Sequence, residues 1–188
     1  MKANTGQLVV VSGPSGVGKS TVLAKARELT DAAFSVSATT RPPRQGERDG
    51  RDYRFVDRAT FERMIRDGEL LEWATVFGQY YGTPAGAVRA ALAEGKTVLL
   101  DIDVQGGIQV HEKMPDAAFV LIVPPGPEAL RDRLTGRATE SPEALRRRLD
   151  QAEKEIRAAR ESGVYGYTVV NDDLDRAVRQ VVDIITQE

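Results

Sequence analysis

Apolar residues fall along this chain in two rhythms. Leu8-Val9-Val10-Val11, Val98-Leu99-Leu100, Phe119-Val120-Leu121-Ile122-Val123 and the run closing on Val169-Val170 are short and continuously apolar. Such runs mark strands buried on both faces. Between them apolar positions recur at helical spacing: over Thr21–Leu29, from Pro84 to about Glu94, over Val104–Glu112 and over Pro127–Thr135. Ser141 with Pro142 opens a long helix to about Glu161, with Leu145, Leu149, Ala152, Ile156 and Ala159 on one face. Leu174, Ala177, Val178, Val181, Ile184 and Ile185 mark a closing amphipathic helix. Strand alternating with helix predicts an α/β fold, a parallel core sheet covered on both faces.

The rhythm breaks between about residues 34 and 83. Asp31–Thr40 reads as extended, Arg54-Phe55-Val56 as a short strand, and Leu70–Val76 and Gln79–Thr83 as two strands around a turn at Gly78. Thr60 is placed to cap a helix whose Phe61, Met64 and Ile65 share a core-facing side and which stops at Gly68. This predicts a small, mostly β excursion hung on the main domain. Within it, Arg41–Tyr53 is rich in proline, glycine and charge and fits neither a regular helix nor a central strand. Its four arginines, two on a proline-stiffened segment, favour an anion site over a merely solvated loop, because guanidinium forks match phosphate oxygens.

The sharpest chemical signal is Gly13-Pro14-Ser15-Gly16-Val17-Gly18-Lys19-Ser20, which reads G-x-x-x-x-G-K-S between a predicted strand and a predicted helix. Its glycines let consecutive backbone N–H groups converge on an anion, and the following helix adds the positive end of its dipole. In this pattern Lys19 reaches the terminal phosphates of a nucleotide and the Ser20 hydroxyl serves a Mg²⁺ ion. Val98–Asp103 is an apolar strand ending in acid, and Asp101 is the expected metal-facing carboxylate. Asn171, too, closes a strand, and ligands of such folds sit beyond the carboxyl ends of the strands. Arg131, Arg133, Arg137, Arg146, Arg147 and Arg148 crowd two helices near the polar break at 136–141, which fits a flap bringing arginines over a transferring phosphoryl group.

Composition narrows the setting. The chain's 188 residues suit one core with an excursion or two. A net charge of −2 gives no field for nucleic acid or an anionic membrane. With no cysteine, disulfides and thiolate chemistry are excluded, and a reducing cytoplasm is the expected location. No apolar run approaches a membrane span, and the polar start at Met1–Gln7 shows no signal peptide. The single His111 is expected on the surface rather than in catalysis.

Taken alone, these features describe a P-loop phosphotransferase with a second anion site. The chain also resembles the guanylate kinase family over nearly its whole length. The resemblance rests on Ser12–Thr21, Phe34–Arg44 (FSVSATTRPPR), Gly46-Glu47, Gly50, Asp52-Tyr53, Glu72-Trp73-Ala74, Tyr80-Tyr81-Gly82-Thr83, Leu100–Asp103, Gln105-Gly106 and Val170–Asp173, in that order. It implies a three-layer P-loop fold with an inserted GMP-binding region and a helical lid. The core would comprise 1–33, 84–125 and 163–188, the GMP-binding region 34–83, and the lid with its connecting helix 126–162. It implies that Ser37, Glu72, Thr83 and Asp103 read guanine and that Arg41, Arg44, Tyr53 and Tyr81 hold the GMP phosphate. Residues Gly13–Thr21 with Arg133 and Asn171 would hold ATP, Asn171 near its adenine. Lys19, Arg41, Arg137 and Arg148 would stabilise the transferring group, and Ser20 and Asp101 would serve Mg²⁺. Where the family commonly has glycine after the flap arginine, Ala138 follows Arg137.

The residue chemistry agrees with base reading. Guanine presents N1–H and its 2-amino group side by side, and one carboxylate such as Glu72 accepts both; adenine would leave it unpaired. Two other readings stand beside this one: a P-loop kinase for a different small acceptor, and a non-catalytic module that docks phosphopeptides on Arg41 and Arg44. The intact Gly13–Ser20 loop argues against the module.

Overall fold

A computed structural model describes residues 6–76, 78–135 and 141–187. Two sheets organise it. The larger is wholly parallel, in the order β2-β7-β1-β8-β9, from β1 (Leu8–Ser12), β2 (Ala33–Phe34), β7 (Val98–Asp101), β8 (Ala118–Val123) and β9 (Tyr167–Val170). Its helices are α1 (Lys19–Glu28), α3 (Ala85–Ala93), α4 (Val104–Lys113), α5 (Pro127–Thr135), α6 (Pro142–Ser162) and α7 (Leu174–Ile185). The continuous apolar runs now have their cause. Val9, Val11, Leu99, Val120 and Ile122 face α1 and α7, whereas Leu8, Val10, Val98, Leu100 and Phe119 face α3 and α4. β1, β7 and β8 each supply both sides of the core, so alternating polarity there would have buried charge. β9 departs from the expectation of burial on both faces: it is an edge strand, with Val169 packed toward α1 and α7 while Tyr167 and Val170 are exposed. β2 carries Phe34 into this sheet.

The smaller sheet, in the order β4-β3-β6-β5, comes from β3 (Ala38–Thr39), β4 (Arg54–Phe55), β5 (Leu70–Val76) and β6 (Gln79–Pro84). Its own core is Ala38, Phe61, Met64 and Leu70, with Phe61 stacked on Tyr80 at 5.2 Å between ring centroids. Phe61 and Met64 lie on α2 (Arg58–Arg66). The expected cap of that helix moves: Asp57, not Thr60, is the N-cap, and its carboxylate accepts from the Thr60 backbone N–H. A carboxylate three residues upstream meets an orphan helix amide, and it also suits the positive helix end. Pro84 likewise caps α3 rather than forming its first turn. β5 is an edge strand, and α4 covers it: the Gln109 side chain donates to the Trp73 carbonyl (3.1 Å) and accepts from the Trp73 N–H (3.2 Å).

Candidate active site

The loop between β1 and α1 is shaped by what surrounds its glycines. A side chain on Gly13 would meet the Ile122 carbonyl at 2.4 Å, so the loop can lie on β8 only without one. Gly16 and Gly18 have φ of 85° and 92°, the left-handed region that glycine adopts without strain. The loop walls a cavity of about 360 Å³, whose lining runs from Gly13 to Thr21 without Val17 and is completed by Asp103 and Glu155. Val17 turns the other way, its side chain fully buried. Its carbonyl accepts from the Asn171 side-chain amide at 2.7 Å and from an Arg133 guanidinium nitrogen at 2.9 Å.

Lys19 begins α1 and lies across the cavity floor. Its ammonium is 2.9 Å from an Asp101 carboxylate oxygen and donates to the Ile102 carbonyl at 2.6 Å. Both partners sit at the carboxyl end of β7, so the adjacent parallel pairing of β1 and β7 brings loop and acid together. Asp103 caps α4, accepting from the Gly106 N–H at 2.7 Å, and its backbone carbonyl accepts from the Ser12 hydroxyl. From α6, Arg148 reaches the Ser15 hydroxyl at 3.0 Å.

The second pocket is built on the β5–β6 hairpin. Register places Glu72 opposite Thr83, and the Thr83 hydroxyl donates to the Glu72 carboxylate at 2.6 Å. Glu72 is only 6% exposed. Burial pushes its pKa up to about 7; the Thr83 hydrogen bond opposes that shift and the nearby Asp103 charge adds to it. Gly106 leaves the room in front of this carboxylate, since a Cβ there would lie 3.0 Å from Glu72 Oε2. Asp103 therefore borders both this pocket and the loop cavity.

Arg41 is held in a fixed pose. Its two terminal nitrogens donate to the two Glu47 oxygens at 3.0 and 2.9 Å, and one of them also donates to the Pro42 carbonyl. Its guanidinium lies 5.4 Å from the Tyr53 ring centroid, and Tyr53 packs edge-on against Tyr81 at 6.0 Å. The Arg41 hydrogen bond and then the Arg44 amide hold the Glu47 carboxyl below the usual carboxylate range. The Arg44 N–H donates to the same carboxylate at 2.6 Å, and the residue itself is exposed. Ser37 lies just ahead of β3, where its backbone carbonyl accepts from Arg54.

The fold thus gathers Arg41, Tyr53 and Tyr81 in one cluster, Glu72, Thr83 and Asp103 in a second, and Lys19, Ser20, Asp101 and Arg148 around the loop. Arg133 and Asn171 stand behind the loop rather than inside its cavity lining. Arg137 and Ala138 lie outside the described residues. Sequence reasoning overlooked three participants. Glu47 was legible as the acid six residues beyond Arg41. Glu155 follows Arg148 by two helical turns on α6, and burial pushes its carboxyl up. Tyr165, whose hydroxyl donates to the Val104 carbonyl, carried no local signal; burial pushes its pKa to about 12.

For a metal, the donor chemistry fits a hard cation. Ser20, in the cavity lining, and Asp101, paired with Lys19, offer oxygen only, and the described residues contain no cluster of three or more His, Cys, Asp or Glu able to cage an ion. Mg²⁺ is commonly held this way, by one or two protein oxygens with phosphates and water completing the shell.

The family model for guanylate kinase matches residues 5–188. A guanylate kinase of Symbiobacterium thermophilum is 52% identical over 97% of this chain and 86% of its own length. One from Thermus thermophilus is 48% identical over all of this chain and 83% of its own. The crystal structure of a guanylate kinase from Anaplasma phagocytophilum superposes with a TM-score of 0.76 at 34% identity, covering 97% of this chain and 85% of that one.

Proposed function

The chain belongs to the guanylate kinase family, and we propose that it transfers the γ-phosphoryl group of ATP to the phosphate of GMP, and of dGMP, by in-line displacement. The observation that carries the acceptor reading is Glu72, a buried carboxylate aimed into space that Gly106 keeps open and steadied by Thr83. Ionised, it accepts from guanine N1–H and the 2-amino group, while Asp103 borders the same pocket and the Ser37 and Thr83 hydroxyls can serve O6. Adenine lacks that paired donor edge. A site with buried polar groups rejects the wrong base by about 10⁴-fold or more.

Arg41, Arg44, Tyr53 and Tyr81 hold the GMP phosphate. Glu47 fixes the Arg41 guanidinium beside Tyr53 and Tyr81, and phosphate would meet it on that side. The Gly13–Thr21 amides, with Arg133 and Asn171 behind them, hold the ATP phosphates. One oxygen of the GMP phosphate attacks the γ-phosphorus, the bond from that phosphorus to the β-bridging oxygen breaks, and ADP departs with the electron pair. The attacking phosphate is already ionised at neutral pH, so no protein base is needed. Lys19, Arg41, Arg148 and Arg137 stabilise the charge on the transferring group, Lys19 exchanging Asp101 for phosphate oxygens. Ser20 and Asp101 would hold Mg²⁺, which when bound neutralises charge on the phosphate oxygens.

We assign 34–83 to GMP binding, 126–162 to the lid and its connecting helix, and the remainder to the core. No helix of the described residues is long and apolar enough to cross a membrane, and the absence of cysteine suits a reducing cytoplasm. A panel of nucleoside monophosphates with ATP and Mg²⁺ tests the reading. ADP release is expected to be fast with GMP, slower with dGMP and slight with AMP, CMP or UMP. Preference for AMP would refute the base pocket, and silence with every acceptor would refute catalysis.

A further inference from the structure

We infer that Asn171 and Arg133 are positioning residues that set the curvature of the phosphate loop through the Val17 carbonyl. The inference rests on the reading that this loop holds the triphosphate of ATP. Three bonds carry it. The Asn171 side-chain amide and one Arg133 nitrogen both donate to the Val17 carbonyl, and the other Arg133 nitrogen donates to the Asn171 backbone carbonyl at 2.6 Å. Both lone pairs of the Val17 oxygen are therefore engaged. Asn171 is itself fixed: it is 5% exposed, and its N–H donates to the Val123 carbonyl at 2.9 Å, continuing the β8–β9 pairing.

Peptide planarity turns this into a statement about the loop. In a trans peptide the carbonyl of one residue and the N–H of the next point in opposite directions. A Val17 carbonyl held toward α5 and the end of β9 therefore aims the Gly18 N–H toward the opposite side, where Gly18 lines the cavity. Were the peptide to flip, a carbonyl oxygen would face the phosphates in place of a donor. Gly18 is bound into the same device. Besides its positive φ, a Cβ there would lie 2.6 Å from the Asn171 amide nitrogen. Helix α5 is seated on the loop a second time, since Leu134 packs where a Gly16 side chain would go, 2.5 Å from its Cβ. One oxygen atom thus ties the loop to α5 and to the end of the sheet.

The test compares wild type, Asn171→Ala and Arg133→Met by calorimetric titration with ATP, inorganic tripolyphosphate and GMP. Both variants are expected to weaken ATP and tripolyphosphate by the same factor, about tenfold, with GMP affinity unchanged. The Gly18 amide resonance, which tripolyphosphate shifts in wild type, should respond far less in either variant. Loss of ATP affinity with tripolyphosphate untouched would overturn the inference in favour of base contact. Equal loss for all three ligands would overturn it in favour of a general fold defect, as would no loss for any. If the wild-type protein takes up neither ATP nor tripolyphosphate, it is the nucleotide assignment of the loop that fails.

Discussion

The buried Glu72 carboxylate sets the folded protein against its own substrate pocket, and the conflict is measurable. Its pKa stands at about 7 against an ordinary value of 4.5, chiefly because burial penalises the charge. Between those two pH values the unfolded chain has released this proton while the folded chain retains it. Stability therefore falls as pH rises through that window and is flat with respect to this group above it. At 1.36 kcal/mol per pH unit the loss is about 3 kcal/mol. Replacing Glu72 with Gln removes the ionisable group but leaves an oxygen to accept from Thr83. With an unfolding entropy of about 2.1 cal/mol/K per residue, Glu72→Gln should raise Tm relative to wild type by about 8 °C more at pH 8 than at pH 4.5. Any fixed cost of packing the amide is common to both pH values and cancels in the comparison. Scanning calorimetry at half-unit pH steps measures it. The same variant should lose most GMP turnover while still binding ATP, because an amide presents a donor where guanine needs an acceptor. At pH 6 Glu72 should release close to one proton when GMP binds, on top of about half a proton from the nucleotide phosphate, whose second pKa is about 6. Titrations in buffers of different ionisation enthalpy should therefore show wild type releasing close to one proton more than Glu72→Gln. A Tm difference that stays constant from pH 4.5 to pH 8 would refute the reasoning.

Three further outcomes are expected. Glu47→Ala frees the Arg41 guanidinium from its fixed pose, and ordering one such side chain costs about 0.5–1.5 kcal/mol; KM for GMP should rise about two- to tenfold with KM for ATP unchanged, and tighter GMP binding would show that Glu47 competes with phosphate instead. Gly107→Ala puts a Cβ 2.1 Å from the Tyr165 hydroxyl; the overpacking should cost about 1–3 kcal/mol in urea unfolding, and adding Tyr165→Phe should recover part of it. Lys19→Met should lower kcat by about 10²–10³-fold in steady-state assays with circular dichroism unchanged; retention of kcat would remove Lys19 from the reacting site.

Much of this was legible before any coordinates, for reasons that differ by residue. The phosphate loop announces itself because its chemistry needs glycine, lysine and serine at fixed spacing within ten residues. The parallel sheet follows from strands such as Val9-Val10-Val11, which feed two cores at once. Glu72 and Thr83 were named through resemblance; their pairing came from the register of the hairpin, which a lone strand carboxylate does not reveal. The cap at Asp57 was missed because Thr60 is also a good capping residue, and only the backbone path decides between them. The grip on Val17 was hidden more deeply. It acts on a main-chain oxygen, which every residue possesses, from side chains 116 and 154 positions away.

Gln109 has a consequence unrelated to catalysis. Its amide presents to Trp73 the same donor and acceptor that a neighbouring peptide would, so a side chain stands in for a missing strand along the open margin of the small sheet. Seven extended residues with free margins would otherwise invite a second molecule to add itself by main-chain pairing. By engaging the Trp73 peptide, the Gln109 amide leaves less of this margin open to main-chain pairing by a second molecule.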